Sequence, residues 1–121
     1  MQTPTTLVLG ASPNPERYSF LATNLLLEKG HAVYPFGIKK GQIGNINIVN
    51  EWPKPGTIDT VTLYVGPSGQ VEYYDAIIEL SPRRIIFNPG TENPDLQGIA
   101  KGNGIETIEA CTLVMLTTGQ Y

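Results

Sequence analysis

Apolar residues fall along this chain in short bursts, each closed by glycine, proline or polar residues. Thr6 to Gly10 is an apolar, β-branched run ending in glycine, which predicts a buried strand. Ser19 to Lys29 predicts a helix. Phe20, Leu21, Asn24, Leu25, Leu27 and Glu28 place most of its apolar side chains on one face, and Gly30 supplies the stop. His31 to Phe36 reads as a second strand and Ile46 to Val49 as a short third one. Thr57 to Val65 follows as a strand with Val61, Leu63 and Val65 in alternation. Pro67 sits where the first residue of a helix accepts proline, and Tyr73, Ala76, Ile77 and Leu80 repeat at helical spacing after it. Arg84 to Asn88 predicts another strand, Asn93 to about Gly102 a helix, and Ile105 to Glu109 a last strand. Cys111 to Thr118 reads as a short terminal helix or an irregular tail.

The order is therefore β-α-β-β-β-α-β-α-β. Strands alternating with helices imply right-handed crossovers and a parallel sheet. Continuous apolar strands such as Leu7-Val8-Leu9 and Ile85-Ile86-Phe87 fit a sheet covered on both faces. The expected fold class is α/β: a three-layer, Rossmann-like fold with a mostly parallel five- or six-stranded sheet. At 121 residues it is expected to be one domain, residues 1–121.

Composition narrows the function classes. Only 16% of residues are charged, but the net charge is −3, so disorder is not indicated. A slight acidic excess argues against nucleic acid or an anionic membrane surface as partner. One cysteine excludes an internal disulfide and a Cys-rich zinc site; one histidine excludes HExxH-type metal sites. The stretch from Met1 to Thr6 carries no basic leader, and no apolar run approaches membrane-spanning length. A reducing, cytoplasmic location is expected, with a homodimer or protein partner left open.

In open parallel sheets, ligands bind beyond the carboxyl ends of the strands, where strand order reverses. Four loops therefore matter. In Gly10-Ala11-Ser12-Pro13-Asn14-Pro15, a glycine permits a sharp turn and the next helix points its positive end at the same spot. The fingerprint G-x-G-x-x-G is absent, so by itself the loop reads equally well as a structural turn. After the second strand there is no carboxylate between Glu28 and Glu51 to hold ribose hydroxyls. Lys39 and Lys40 stand there instead and suit a phosphorylated ribose, as in NADP or coenzyme A; two solvated lysines are the plain alternative. Val65-Gly66-Pro67-Ser68 offers a wall of small residues, or an ordinary helix start. Asn88-Pro89-Gly90-Thr91 is a turn at the same edge.

The segment Val8-Leu9-Gly10-Ala11-Ser12-Pro13-Asn14-Pro15-Glu16-Arg17, the helix after it, His31-Ala32-Val33-Tyr34-Pro35 and Asn88-Pro89-Gly90-Thr91-Glu92-Asn93 together resemble the coenzyme A-binding domain family of Rossmann-like proteins. That fold also forms part of the succinyl-CoA synthetase alpha subunit, and the small stand-alone subfamily is the nearest match. The resemblance implies that Ala11, Ser12 and nearby backbone amides cradle CoA phosphates and that residues after the second strand meet the adenosine end. The expected binding set is Gly10, Ala11, Ser12, Pro13, Asn14, Arg17, Lys39, Lys40, Gly66, Pro67, Asn88, Pro89 and Gly90. Relatives continue after the second strand as V-N-P-K, where this chain has Phe36-Gly37-Ile38-Lys39.

The expected function is non-catalytic binding of CoA or an acyl-CoA, a nucleotide-containing small molecule. No Ser-His-Asp elbow is present, and His31 at the start of a strand does not match the synthetase histidine. The alternatives are an NADP- or nucleotide-dependent enzyme and an interaction protein that kept the fold without the ligand. Cys111 reads as a buried small residue, or as a thiol near a helix start that meets the cofactor thiol. Of Tyr73 and Tyr74, one is expected to pack and one to face solvent or a partner, with adenine stacking as the less favoured alternative. Trp52 is expected to cover an apolar edge or meet another subunit. Arg83-Arg84, at the opposite edge of the sheet, is expected to serve solubility or ion pairing.

Overall fold

The computed structural model describes residues 4–121; Met1 to Thr3, part of the stretch read above as carrying no leader, lie outside them. Strand β1 (Thr5–Leu9) runs through helix α1 (Tyr18–Glu28) into β2 (Ala32–Phe36). A small excursion carries β3 (Gln42–Ile43) and β4 (Ile46–Asn47) before β5 (Thr60–Leu63). Helix α2 (Pro67–Gln70), a 3-10 turn (Val71–Tyr73) and α3 (Tyr74–Leu80) lead to β6 (Arg84–Phe87). Then follow α4 (Pro94–Gly102), β7 (Glu106–Glu109) and α5 (Thr112–Thr117).

Five strands form one sheet in the order β2-β1-β5-β6-β7, and every pairing is parallel. This is the α/β, Rossmann-like arrangement expected. Alternation along the buried strands serves both faces. Leu7, Leu9, Val61, Leu63, Ile85 and Phe87 pack with Ile77 and Leu80 of α3 and Leu96 and Ala100 of α4. Val8 packs on the other face with Leu26 of α1 and Leu116 of α5. The chain leaves β1 toward β2 and returns on β1's other side as β5, so strand order reverses at the carboxyl ends of β1 and β5.

Three expectations need correction. The short strand at Ile46 to Val49 adds no full strand to the sheet: Ile46–Asn47 pairs antiparallel with Gln42–Ile43, and only Val49 meets the sheet, through a single parallel bridge to Phe36 of β2. Two-residue strands around a tight glycine turn offer too few backbone partners to extend the sheet, and Ile43 and Ile48 are buried beneath the excursion instead. The helix after Pro67 is broken into α2, a 3-10 turn and α3. Gly69 and β-branched Val71 weaken helical propensity there, and the Gln70 side chain is drawn inward. Finally, α1 does not bury its most apolar face. Its buried residues are Ser19, Ala22, Thr23 and Leu26, while Leu21 is exposed. Small residues let the helix lie close to the sheet, and the Thr23 hydroxyl donates to the Ser19 carbonyl.

Candidate functional site

At the carboxyl edge of β1, β2 and β5 lies a cavity of about 570 Å³, a size typical of small-molecule sites. Its floor begins where β1 and β2 leave the sheet together. The amides of Gly10 and Ala11 both donate to the Phe36 carbonyl, at 3.0 and 2.9 Å. Gly10 has φ +103°, and a Cβ there would meet the Tyr64 backbone at 3.2 Å. A side chain on Gly37 would collide with the Ala11 carbonyl oxygen. These two glycines bring the loops into backbone contact.

This closure changes which donors face the cavity. With the Gly10 and Ala11 amides bonded to Phe36, the polar groups left on this side belong to Ser12, Arg17 and the start of α1. Ser12 Oγ accepts from the Asn14 amide at 3.1 Å, which leaves its own hydroxyl proton to donate. No side chain caps α1, because Arg17 precedes it without a cap hydrogen bond. Its first two N–H groups, those of Tyr18 and Ser19, are left for solvent or an anion, while the Phe20 amide donates to the Arg17 carbonyl at 3.1 Å. Tyr18 and Ser19 of that turn line the cavity, as do Arg17 and Lys39.

The far wall comes from the loops after β5 and β6: Val65, Gly66, Gly69, Glu72 and Tyr73, then Pro89, Gly90 and Thr91. A buried amide network holds these two loops together. Gln70, fully buried, donates from Nε2 to the carbonyls of Val65 and Thr91 at 2.8 and 2.9 Å. Its Oε1 accepts from Asn93 Nδ2, which also donates to the Tyr74 hydroxyl. Asn93 Oδ1 in turn caps α4 at the amides of Asp95 and Leu96.

An aromatic group closes the side beside β2. The Trp52 ring stacks on Tyr73 at 5.5 Å and meets Phe36 edge-on at 5.1 Å. Burial, and secondarily the charge of Glu72, raises the Tyr73 hydroxyl above its ordinary pKa of 10.0, so it stays protonated at neutral pH. Tyr64 lines the inner side. Burial pushes its hydroxyl up to about 12, and the oxygen makes no hydrogen bond of good geometry with nearby Thr62 or Thr112.

The structure brings together Gly10, Ala11, Ser12, Asn14, Arg17, Lys39, Gly66, Pro89 and Gly90 of the expected set. Pro13, Lys40 and Pro67 lie outside the lining. Asn88 is buried below it: Nδ2 donates to Thr62 Oγ1 and the Leu63 carbonyl, and Oδ1 accepts from the Thr112 amide. Tyr18, Phe36, Gly37, Ile38 and Glu72 line the cavity without having been singled out as ligand residues, and Tyr73, weighed only as a less favoured stacking residue, lines it too. Their signal was present only as adjacency to the four loops. For Gln70 there was none, since a glutamine after a glycine carries no mark of burial.

The remaining candidates fall elsewhere. Cys111 is half-buried, precedes α5 and does not line the cavity. His31 lies just before β2, edge-on to Tyr121 at 4.9 Å, at the amino edge of the sheet. Trp52 covers an apolar edge, as expected. Tyr73 and Tyr74 are both engaged by packing or hydrogen bonding. Arg83 pairs with Asp59 at 3.1 Å, but Arg84 is buried, so solubility does not explain it. Among the described residues, no group of three or more His, Cys, Asp or Glu side chains is placed to hold a metal, and no helix is long and apolar enough to cross a membrane.

The profile of the CoA binding domain family matches residues 4–117. This chain belongs to that family. Solved structures agree on the fold. One uncharacterised protein shares 46% identity across the whole of both chains, with a TM-score of 0.93. A hypothetical protein from Pyrococcus horikoshii OT3 is 27% identical over 96% of this chain and 82% of its own, with a TM-score of 0.83. A conserved hypothetical protein from Pyrococcus furiosus, at 22% identity over 97% of this chain and 99% of its own (TM-score 0.77), speaks to the fold alone. No curated protein matches the chain. The cavity carries the Ser12 hydroxyl, Arg17, Lys39 and an uncapped helix start on one side, and Val65, small residues, Glu72 and Tyr73 on the other.

Proposed function

We propose that this cavity binds coenzyme A or an acyl-CoA and performs no chemistry on it. The observation that carries the reading is the convergence of Ser12, Arg17, Lys39 and the open start of α1 on one side of a single cavity at the switch point, in a chain of the CoA binding domain family. Pyrophosphate belongs at Ser12 and the α1 start, where donors and positive charge coincide. Lys39, on the loop after β2, suits the ribose 3′-phosphate. The non-catalytic part is supported by the lining itself, whose side chains include neither His nor Cys and whose one carboxylate is Glu72.

Calorimetric titration with CoA, dephospho-CoA, NADP and NAD tests the binding. CoA is expected to bind tightest, dephospho-CoA more weakly, and NAD weakest. Preference for NADP would move the reading to a nicotinamide-dependent enzyme, and silence with all four would leave a fold that serves protein interaction. Catalysis is tested by incubating the protein with ATP, CoA and short carboxylic acids, and separately with acyl-CoAs, while following free thiol. The thiol concentration is expected to stay constant; protein-dependent change would overturn the non-catalytic assignment.

A further inference from the structure

We propose that the main-chain amide of Gly66 donates to the ligand's pyrophosphate and that the buried side chain of Gln70 holds it in position. The inference rests on the CoA reading above and gives the pyrophosphate a contact on the wall facing Ser12. The loop after β1 is short of main-chain donors, because the Gly10 and Ala11 amides are both taken by the Phe36 carbonyl. The loop after β5 stands directly against it: a Cβ on Gly10 would lie 3.0 Å from Val65 Cγ2. Val65 and Gly66 line the cavity there. Among the described residues, none accepts from the Gly66 amide.

Gln70 decides where that amide points. The Val65–Gly66 peptide is trans, so its carbonyl and its N–H point in opposite directions. Gln70 Nε2 draws the carbonyl inward at 2.8 Å, and the N–H therefore turns outward, to the side of the cavity. The brace does not flip. Nε2 also donates to the Thr91 carbonyl at 2.9 Å and Oε1 accepts from Asn93, so exchanging the amide's oxygen and nitrogen would set Oε1 against two carbonyls. A donor fixed in this way before binding meets a phosphate oxygen without first ordering a loop.

The backbone at Gly66 permits a direct test of its amide. Its φ is −65°, the value that proline fixes, and a Cβ there would meet nothing within 4 Å. Gly66→Pro removes the amide hydrogen and Gly66→Ala keeps it, so the second is the reference for the first. Both variants are to be titrated calorimetrically with CoA and with dephospho-CoA. Gly66→Pro is expected to bind each ligand about tenfold more weakly than Gly66→Ala, since both ligands carry the pyrophosphate. Gln70→Leu reads the positioning. It should weaken CoA about fivefold in the Gly66→Ala background and less than about twofold in the Gly66→Pro background, while its loss of stability in urea is the same in both. A Gln70 that only supports the fold would weaken CoA equally in the two, which overturns the positioning role. Equal affinities of Gly66→Pro and Gly66→Ala, or a difference confined to CoA, overturn the pyrophosphate contact. Unchanged CoA affinity in Gln70→Leu alone overturns the inference whether or not Gly66→Pro folds. If the wild type binds neither ligand, this inference and the CoA reading fall together.

Discussion

The two edges of the sheet carry similar charged residues and treat them in opposite ways. At the amino edge Asp59, Arg83 and Arg84 each have a partner within the fold. Arg84 donates from Nε to Thr60 Oγ1 at 3.0 Å and from Nη2 to the Tyr121 carbonyl at 3.3 Å, with its guanidinium 4.5 Å from the centre of the Tyr121 ring. The Tyr121 hydroxyl bonds with Thr6, and Asp59 takes Arg83 through two hydrogen bonds. At the carboxyl edge the amides of Gln70, Asn88 and Asn93 are saturated from below, while Arg17, Lys39 and Glu72 stand exposed along the cavity. The position of a charge says little by itself. What marks a binding edge is a charge left unsatisfied on loops that are themselves rigidly tied.

The strongest way to break this contrast is at the floor of the cavity. Gly10→Val forces a branched side chain onto φ +103° and against Val65 and the Tyr64 backbone. Strain and crowding together should cost about 3 kcal/mol of stability. In the fraction that folds, CoA affinity should drop more than tenfold (roughly, by loss of over 1.4 kcal/mol). Denaturant unfolding and calorimetry read the two effects separately. A stable variant with unaltered affinity would place the ligand away from this loop.

Arg84→Met sharpens the contrast from the other edge. It removes two hydrogen bonds and the ring contact but keeps much of the buried volume. The expected loss is about 2 kcal/mol of stability, with CoA affinity unchanged. Urea unfolding measures the first and titration the second. A loss of affinity without a loss of stability would mean that the two edges communicate through the sheet.

Next come the lysines. Lys39 lines the cavity and Lys40 does not. Lys39→Ala should weaken CoA about tenfold and leave dephospho-CoA nearly unaffected, because a charge-assisted contact to the 3′-phosphate is lost. Lys40→Ala should change either ligand by less than about twofold. Equal losses for both ligands in Lys39→Ala would assign it to the pyrophosphate.

How much of this was legible in the sequence depended on the range of the causes. The five sheet strands and the loops at their carboxyl ends follow from local runs such as Leu7-Val8-Leu9 and Ile85-Ile86-Phe87, where composition alone implies burial on both faces. The break of the helix after Pro67 was not legible, because what holds Gln70 inward is Thr91 and Asn93, some twenty residues on. The buried face of α1 was misread for the same kind of reason. Apolar periodicity pointed to Phe20, Leu21, Leu25 and Leu27, but the close approach to the sheet requires small residues, so Ser19, Ala22 and Thr23 turn inward. Asn88 looked like a loop residue near the ligand, and only the tertiary structure reveals its bonds to Thr62, Leu63 and Thr112.

The smallest effect belongs to the amino edge's surface pair and has a definite sign. Burial alone would raise the Asp59 carboxyl, but hydrogen bonds from Arg83 and Thr60 and the charges of Arg83 and Arg84 outweigh it and hold it below its ordinary value of 3.8. A carboxyl whose folded pKa lies below its unfolded one stabilises the fold above the unfolded value. That contribution disappears as pH falls through the folded value. Because Arg83 is largely exposed, the contribution should stay below about 1 kcal/mol. The comparison to make is wild type against Asp59→Asn, by urea unfolding at neutral pH and at steps below pH 3.8. Other carboxylates titrate in both proteins and cancel. The wild-type advantage should shrink toward zero on acidification and should also shrink with added salt. An advantage that grows instead would mean that burial, rather than the arginines, governs Asp59, and that the amino edge is less fully satisfied than its hydrogen bonds imply.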